Sequence, residues 1–158
     1  MATLSDEVQR FVREQRLGYH ATVSPDGMPC LTHAGTTSVY DHEHLFFADI
    51  RSPRTVANLR VNPSIEVNVV DIFARRGYRF RGTATIHQGD EVWQRAISLL
   101  AERIPRAGEY PVKGIVLIHV EHIDVMTSPA YDRGETEADL VQHYLGYYTS
   151  LHQAAGSR

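Results

Sequence analysis

Apolar residues recur along this 158-residue chain with two different spacings. Near the N-terminus the spacing is that of a helix, with one apolar stripe formed by Val8, Phe11 and Val12. Ser5 is a residue type that caps helices, and Gly18 is the expected end of this helix. The pattern therefore predicts a short amphipathic helix before the first strand.

After this helix the spacing becomes that of β-strands separated by turn residues. The predicted strands are Tyr19–Val23, Met28–Val39, His44–Asp49, Ile65–Val70, Gly77–His87 and Ile115–Val125. Three further helices are predicted over Pro53–Arg60, from Gly89-Asp90 to a stop at Pro105, and over Thr136–Gln153. About six strands at short spacing, with few helices between them, favour a small antiparallel barrel over a parallel sheet.

Composition limits the class of protein. The length predicts a single domain over residues 1–158. With 16 Lys and Arg against 19 Asp and Glu, the net charge of −3 does not favour nucleic-acid binding. One cysteine, Cys30, excludes an intrachain disulfide and fits a cytoplasmic location. No stretch approaches the ~20 apolar residues that a membrane helix needs, so we expect no membrane partner.

The run FFADIRSPRTVANLRVNP carries the most specific chemistry. An apolar strand leads into a helix with Ser52 as the expected N-cap. Arg51 and Arg54 flank this helix start, and Thr55 adds a hydroxyl. Guanidinium groups, hydroxyls and a helix N-terminus together are typical of a phosphomonoester site. The alternative is a capped surface helix with solvated arginines.

This run resembles the phosphate-binding segment of the pyridoxamine 5′-phosphate oxidase-like, FMN-binding split-barrel superfamily. GYHATVSPDGMPCLTHAG is similar to the opening hairpin of that superfamily, and YRFRGTATI and IVLIHVEHIDV are similar to two later strands. The resemblance covers residues 10–126. It implies a mainly β (α+β) fold, a six-stranded antiparallel split β-barrel with peripheral helices.

The resemblance also implies where FMN binds. The phosphate would contact Arg51, Ser52, Arg54 and Thr55, and the ribityl chain and ring would pass Phe47 and Ala48. The ring edge would lie along the strand that carries Thr32, His33 and Ala34. In this superfamily the flavin lies between two subunits, so a homodimer is implied.

The implied function is that of an FMN-dependent oxidoreductase acting on a small molecule, with the substrate open. One alternative is a non-catalytic flavin-binding or storage protein. A second is a deazaflavin-dependent reductase on the same fold, with Arg75, Arg76 and Arg79 as candidate contacts for the longer coenzyme tail. No acid–base pair or nucleophile stands out, so the catalytic residues stay open, and no closed set of metal ligands is found.

Overall fold

The computed structural model describes residues 2–104, 106 and 109–155, which contain four α-helices and seven strands. The strands are β1 Gly18–Val23, β2 Pro29–Ala34, β3 Ser38–Val39, β4 His44–Asp49, β5 Ser64–Asp71, β6 Arg76–His87 and β7 Gly114–Thr127. The helices are α1 Asp6–Gln15, α2 Pro53–Val61, α3 Glu91–Arg103 and α4 Glu137–Ala155. Every strand pairing is antiparallel, in the order β2-β1-β5-β6-β7-β4-β3. The mainly β, α+β prediction is therefore confirmed.

This strand order requires the sheet to curl. β2 and β3 are its two edges, yet residues 35–37 alone connect them along the chain. Six strand spacings in a flat sheet would separate the edges by about 29 Å. The four peptide steps from Ala34 to Ser38 reach at most about 14 Å. The two edges therefore lie close together at this turn, and the sheet curls into an antiparallel split barrel.

The turn that joins the edges changes the expected strand count. The prediction of one strand over Met28–Val39 is wrong, because the chain turns at Gly35 and Thr36. β2 pairs with β1, whereas β3 pairs with β4 at the opposite edge. Glycine and hydroxyl residues favour such a turn within an otherwise strand-forming sequence. The barrel consequently has seven strands rather than six.

The core lies inside the barrel and extends outward beneath one helix. The apolar stripe of α1 packs into the interior cluster, together with Leu45 and Phe47 of β4. Phe46 and Ala48 of the same strand pack on the other face, against Leu100 of α3. Because β4 is buried on both faces, its sequence is a continuous apolar run rather than an alternating one. This burial makes β4 a rigid support for the residues that follow it.

The first helix confirms one predicted boundary and corrects another. The Ser5 hydroxyl accepts the N–H of Val8 at 3.3 Å, as expected for a cap. The helix ends at Gln15 rather than at Gly18, which is the first residue of β1. Gly18 is needed for a different reason, because an added Cβ would lie 2.5 Å from Oγ1 of Thr37.

The other helices lie at the barrel periphery. α3 ends at Arg103, and Pro105, which was expected to end it, lies outside the described residues. Among the helices of the described part of the chain, none is long and apolar enough to cross a bilayer.

Candidate functional site

α2 begins where β4 ends, within the segment that the sequence predicts to hold phosphate. Ser52 occupies the N-cap position, but its side chain makes no capping hydrogen bond. The first helical bond joins the Val56 N–H to the Ser52 carbonyl at 3.1 Å. Because Pro53 has no N–H, the donors at this helix end are the amides of Arg54 and Thr55. The start of α2 therefore offers backbone amides and a hydroxyl to an anion.

Asp49 holds this helix start in place, and sequence reasoning did not single it out. Its Oδ1 accepts the Ser52 N–H at 3.0 Å, and its backbone carbonyl accepts the Lys113 N–H at 2.8 Å. The residue is buried, with 7% of its surface exposed. Its carboxylate disfavours an anion nearby, so a phosphate at this position needs the positive charge of Arg51 and Arg54.

A groove of about 440 Å³ lies beside the helix start, between the end of β2 and the end of β4. The end of β2 and the β2–β3 turn form one wall, and the end of β4 with the loop to α2 forms the other. The lining residues are Thr32, His33, Ala34, Gly35, Thr36, Ala48, Ile50, Arg51 and Ser52. The volume falls within the range of roughly 300–1,000 Å³ that is usual for small-molecule sites.

Thr36 joins the two walls of the groove. Its Oγ1 accepts the Ala48 N–H at 3.0 Å. β3 is short and pairs with β4 at Ser38 and Val39 only, opposite Phe46 and Leu45. The threonine hydroxyl thus satisfies a backbone donor of β4 that lies beyond the end of β3. This bond fixes the β2–β3 turn to β4.

The two arginines at the helix start are exposed cations. Within the part of the chain that the structure describes, neither Arg51 nor Arg54 forms an ion pair. Arg54 faces the β1–β2 turn, where its charge adds to the lowering of the pKa of Asp26. The main cause of that lowering is the hydrogen bond from the Ser24 hydroxyl. Arg51 belongs to the groove lining itself.

The structure brings most of the predicted site residues together. The groove contains Thr32, His33, Ala34, Ala48, Arg51 and Ser52. The other predicted residues lie outside its lining. Arg54 is exposed on α2, Thr55 is 2% exposed, and Phe47 is fully buried in the barrel core.

The groove also includes residues that sequence reasoning missed, namely Gly35, Thr36 and Ile50. The signal for Gly35 and Thr36 is a glycine followed by two threonines within a predicted strand, a composition that favours a turn. Ile50 carries no comparable signal. It enters the lining because it directly precedes Arg51 at the end of β4.

Two of the histidines form a local pair across neighbouring strands. His44 and His119 are cross-strand neighbours with ring centroids 5.2 Å apart, and Nδ1 of His44 lies 2.8 Å from Oδ1 of Asp41. Among the described residues, no group of three or more His, Cys, Asp or Glu side chains is placed to hold a metal ion. The histidine of the groove lining is His33, which is exposed on β2.

Solved structures with this fold have several recorded roles. HupZ of Group A Streptococcus is 28% identical, with a TM-score of 0.68 over 78% of this chain and 94% of HupZ. The haem storage protein HutZ of Vibrio cholerae is 24% identical, with a TM-score of 0.62 over 80% of this chain and 96% of HutZ. An FMN-binding protein of Syntrophomonas wolfei is 14% identical, with a TM-score of 0.67 over 79% of this chain and 87% of that protein.

A comparison with curated protein sequences gives no match. The family model of pyridoxamine 5′-phosphate oxidase matches residues 4–126, which include the whole barrel except Thr127, the last residue of β7. The chain belongs to the pyridoxamine 5′-phosphate oxidase family.

Proposed function

We propose that this protein binds FMN in the groove beside α2 and works as an FMN-dependent oxidoreductase. One observation carries the proposal: two arginines that form no ion pair with any described residue flank a helix start that has no side-chain cap and opens beside the groove. A cation at a helix N-terminus opposes the helix dipole by ~0.3–1 kcal/mol. An anion between the two guanidinium groups would reverse that cost. The family and the FMN-binding structural neighbour support the same cofactor.

The residues present fit the chemical groups of FMN. Arg51, Ser52, the guanidinium group of Arg54 and the amides of Arg54 and Thr55 would hold the phosphate. The backbone at the end of β2, Thr32–Ala34, would border the ring. When bound, FMN supplies oxidation–reduction chemistry, and the protein supplies binding and orientation. This division of roles fits a groove whose lining is mostly small and hydroxyl-bearing residues.

The charges elsewhere favour FMN over the deazaflavin coenzyme. A longer anionic tail needs further free cations, and the sequence candidates are engaged within the chain. Arg75 lies over the ring of Tyr144 at 4.5 Å. Arg76 lies 3.3 Å from Glu137, and Arg79 forms two hydrogen bonds to Asp124, at 3.1 and 2.9 Å.

We also propose a homodimer with the flavin between its subunits. Large apolar side chains are exposed on the β1–β2 hairpin, which carries one wall of the groove: Tyr19 by 37%, Val23 by 40%, Met28 by 61% and Leu31 by 69%. Apolar patches of this kind favour burial against another surface. A cytoplasmic location stays a prediction.

The dimer is tested by a single charged residue in this patch. Leu31→Asp is expected to convert the dimer to a monomer in sedimentation velocity, because the interface would bury an unpaired carboxylate. Ile72→Asp is the matched control, since Ile72 is 40% exposed in the turn between β5 and β6. Equal sedimentation of the two variants as dimers would remove the hairpin from the interface.

The phosphate site is tested by a visible-absorption titration with FMN. Arg51→Ala and Arg54→Ala are each expected to raise the Kd about 10- to 100-fold, the range for losing a charge-assisted hydrogen bond. Arg60→Ala is the matched control, because Arg60 is an exposed cation in the last turn of the same helix.

The outcomes separate the candidate functions. No FMN binding by the wild-type protein would overturn the proposal and direct the titration to the deazaflavin coenzyme. Binding that is unaffected by both arginine variants would place the phosphate elsewhere. FMN that binds and is reduced by NADH or NADPH, then reoxidised by an acceptor over many turnovers, supports an enzyme. A storage protein would bind FMN without turnover.

A further inference from the structure

A buried polar cluster lies inside the barrel, next to the β2–β3 turn. His20 of β1 is fully buried, and its ring stacks on Phe47 of β4 with centroids 4.1 Å apart. Nε2 of His20 lies 3.1 Å from Oγ1 of Thr37, which is 1% exposed. This contact joins β1 to the segment between the two sheet edges. The FMN proposal does not use it.

The proton positions in this cluster follow from the partners. Oγ1 of Thr37 lies 2.8 Å from the Ala34 carbonyl, which only accepts, so the hydroxyl donates its hydrogen there. The remaining contact requires His20 to donate its Nε2–H to the Thr37 oxygen. Burial, with a smaller contribution from the charge of His33, lowers the pKa of His20 to about 3, so the ring is neutral with Nδ1 unprotonated. The result is a series of two hydrogen bonds, in which His20 donates to Thr37 and Thr37 donates to Ala34.

These hydrogen bonds come with features that are unfavourable in a protein core. Nδ1 of His20 is a buried acceptor with no partner among the described residues, and folded proteins keep few such atoms. Gly18 is also required, because a Cβ there would lie 2.9 Å from Nε2 of His20 and 2.5 Å from Oγ1 of Thr37. An apolar residue at position 20 would fill the same space without an unpaired nitrogen. The cluster therefore calls for an explanation other than core packing.

The series of hydrogen bonds from His20 through Thr37 ends at a residue of the groove. Part of the groove lining is formed by Ala34, Gly35 and Thr36. The carbonyl of Ala34 accepts the hydrogen bond from the Thr37 hydroxyl. Thr36 fixes the same turn to Ala48 of β4. Gly35 has no Cβ and little intrinsic preference for one conformation. Two threonine hydrogen bonds, one of them supported by His20, thus fix the wall that a flavin ring would contact.

We propose that His20 and Thr37 are positioning residues for the cofactor groove, which act through the Ala34 carbonyl and the Gly35–Thr36 turn. The proposal rests on the proposed FMN site. Neither residue would contact the cofactor directly, because both are buried in the core.

The test compares two substitutions of one residue. Thr37→Val keeps the volume but removes the hydroxyl, and it is expected to raise the Kd for FMN at least ~10-fold. Thr37→Ser keeps the hydroxyl and is expected to stay within about threefold of the wild-type Kd. Ile118→Val, a core change in β7, is the control for loss of stability without loss of the hydrogen bond.

Hydrogen exchange provides a second readout that needs no FMN. The Ala48 amide, held by Thr36, is expected to exchange at least ~10-fold faster in Thr37→Val than in Thr37→Ser or Ile118→Val. If Thr37→Val does not fold, His20→Phe replaces it, since a phenyl ring keeps the stack on Phe47 but removes the N–H donor. This variant is expected to raise the Kd about three- to tenfold.

The outcomes distinguish this inference from the function on which it rests. Wild-type protein that binds no FMN overturns both. Wild-type binding, with equal Kd values and equal Ala48 exchange in the valine and serine variants, overturns the positioning role alone. Weakened binding in Thr37→Val that Thr37→Ser restores, with no change in Ile118→Val, supports it.

Discussion

Between about pH 6 and pH 4, His20 is expected to lower the free energy of unfolding by about 1.4 kcal/mol per pH unit as the pH falls. In the folded state its pKa is lowered to about 3, first by burial and second by the charge of His33. In the unfolded chain the pKa is about 6.5. At pH values between these two, the unfolded chain therefore binds a proton at His20, whereas the folded protein does not. The stabilisation is complete above pH 6.5 and is lost as the pH falls towards 3, by roughly 5 kcal/mol at most.

The measurement is urea unfolding at a series of pH values for the wild-type protein and for His20→Phe. Carboxylates whose pKa the fold lowers, such as Asp124 beside Arg79, add an acid dependence of their own, and both proteins share it. The difference between the two slopes of unfolding free energy against pH gives the contribution of the His20 proton alone. Parallel slopes would mean that His20 is protonated, or exposed, in the folded state.

The residues of β1 show where the sequence pattern was insufficient. Its apolar residues Tyr19 and Val23 alternate with His20 and Thr22, so hydrophobicity assigns the first pair to the core. The structure has the opposite arrangement: His20 and Thr22 are buried, whereas Tyr19 and Val23 are 37% and 40% exposed. The polar pair is tolerated because Thr37 pairs with His20 and the Asn58 amide donates to Thr22 at 3.0 Å. These partners are distant in sequence, so no local pattern reveals them.

Local signals predicted the part of the candidate site at Arg51 and Ser52, whereas the residues of β2 and Ala48 followed from the family resemblance. An apolar strand followed by Ser52 and Pro53 correctly gave the start of α2, because cap and proline preferences act within a few residues. The opposite wall of the groove depends on how the barrel closes. The β2–β3 turn that forms it is bonded to β4 through Thr36, which continues the β3–β4 register opposite Ala48. Thr55, which the resemblance assigns to the phosphate, is buried. Closure is a property of the strand order, which the spacing of apolar residues does not determine.

Gly82→Ala is expected to destabilise the protein by more than about 3 kcal/mol, a loss that a surface substitution does not cause. Gly82 lies at the register shift between β6 and β7. A Cβ there would be 1.9 Å from the His119 carbonyl oxygen and 3.3 Å from Cα of Val120. Both are backbone atoms of a paired strand, so no side-chain rotation relieves the overlap. Relief requires β6 and β7 to separate, which would break ladder hydrogen bonds.

Gly114→Ala is the matched control, because Gly114, on β7, is a buried glycine within a strand, as Gly82 is on β6. Its nearest contact would be the His87 carbonyl oxygen at 3.4 Å, an ordinary separation, so a change within about 1 kcal/mol is expected. Urea unfolding of the two variants provides the comparison. Equal stabilities would mean that the strands do not approach closely at the bulge. A large loss of stability confined to Gly82→Ala would show that β6 and β7 approach each other at the bulge too closely to leave room for a Cβ at position 82.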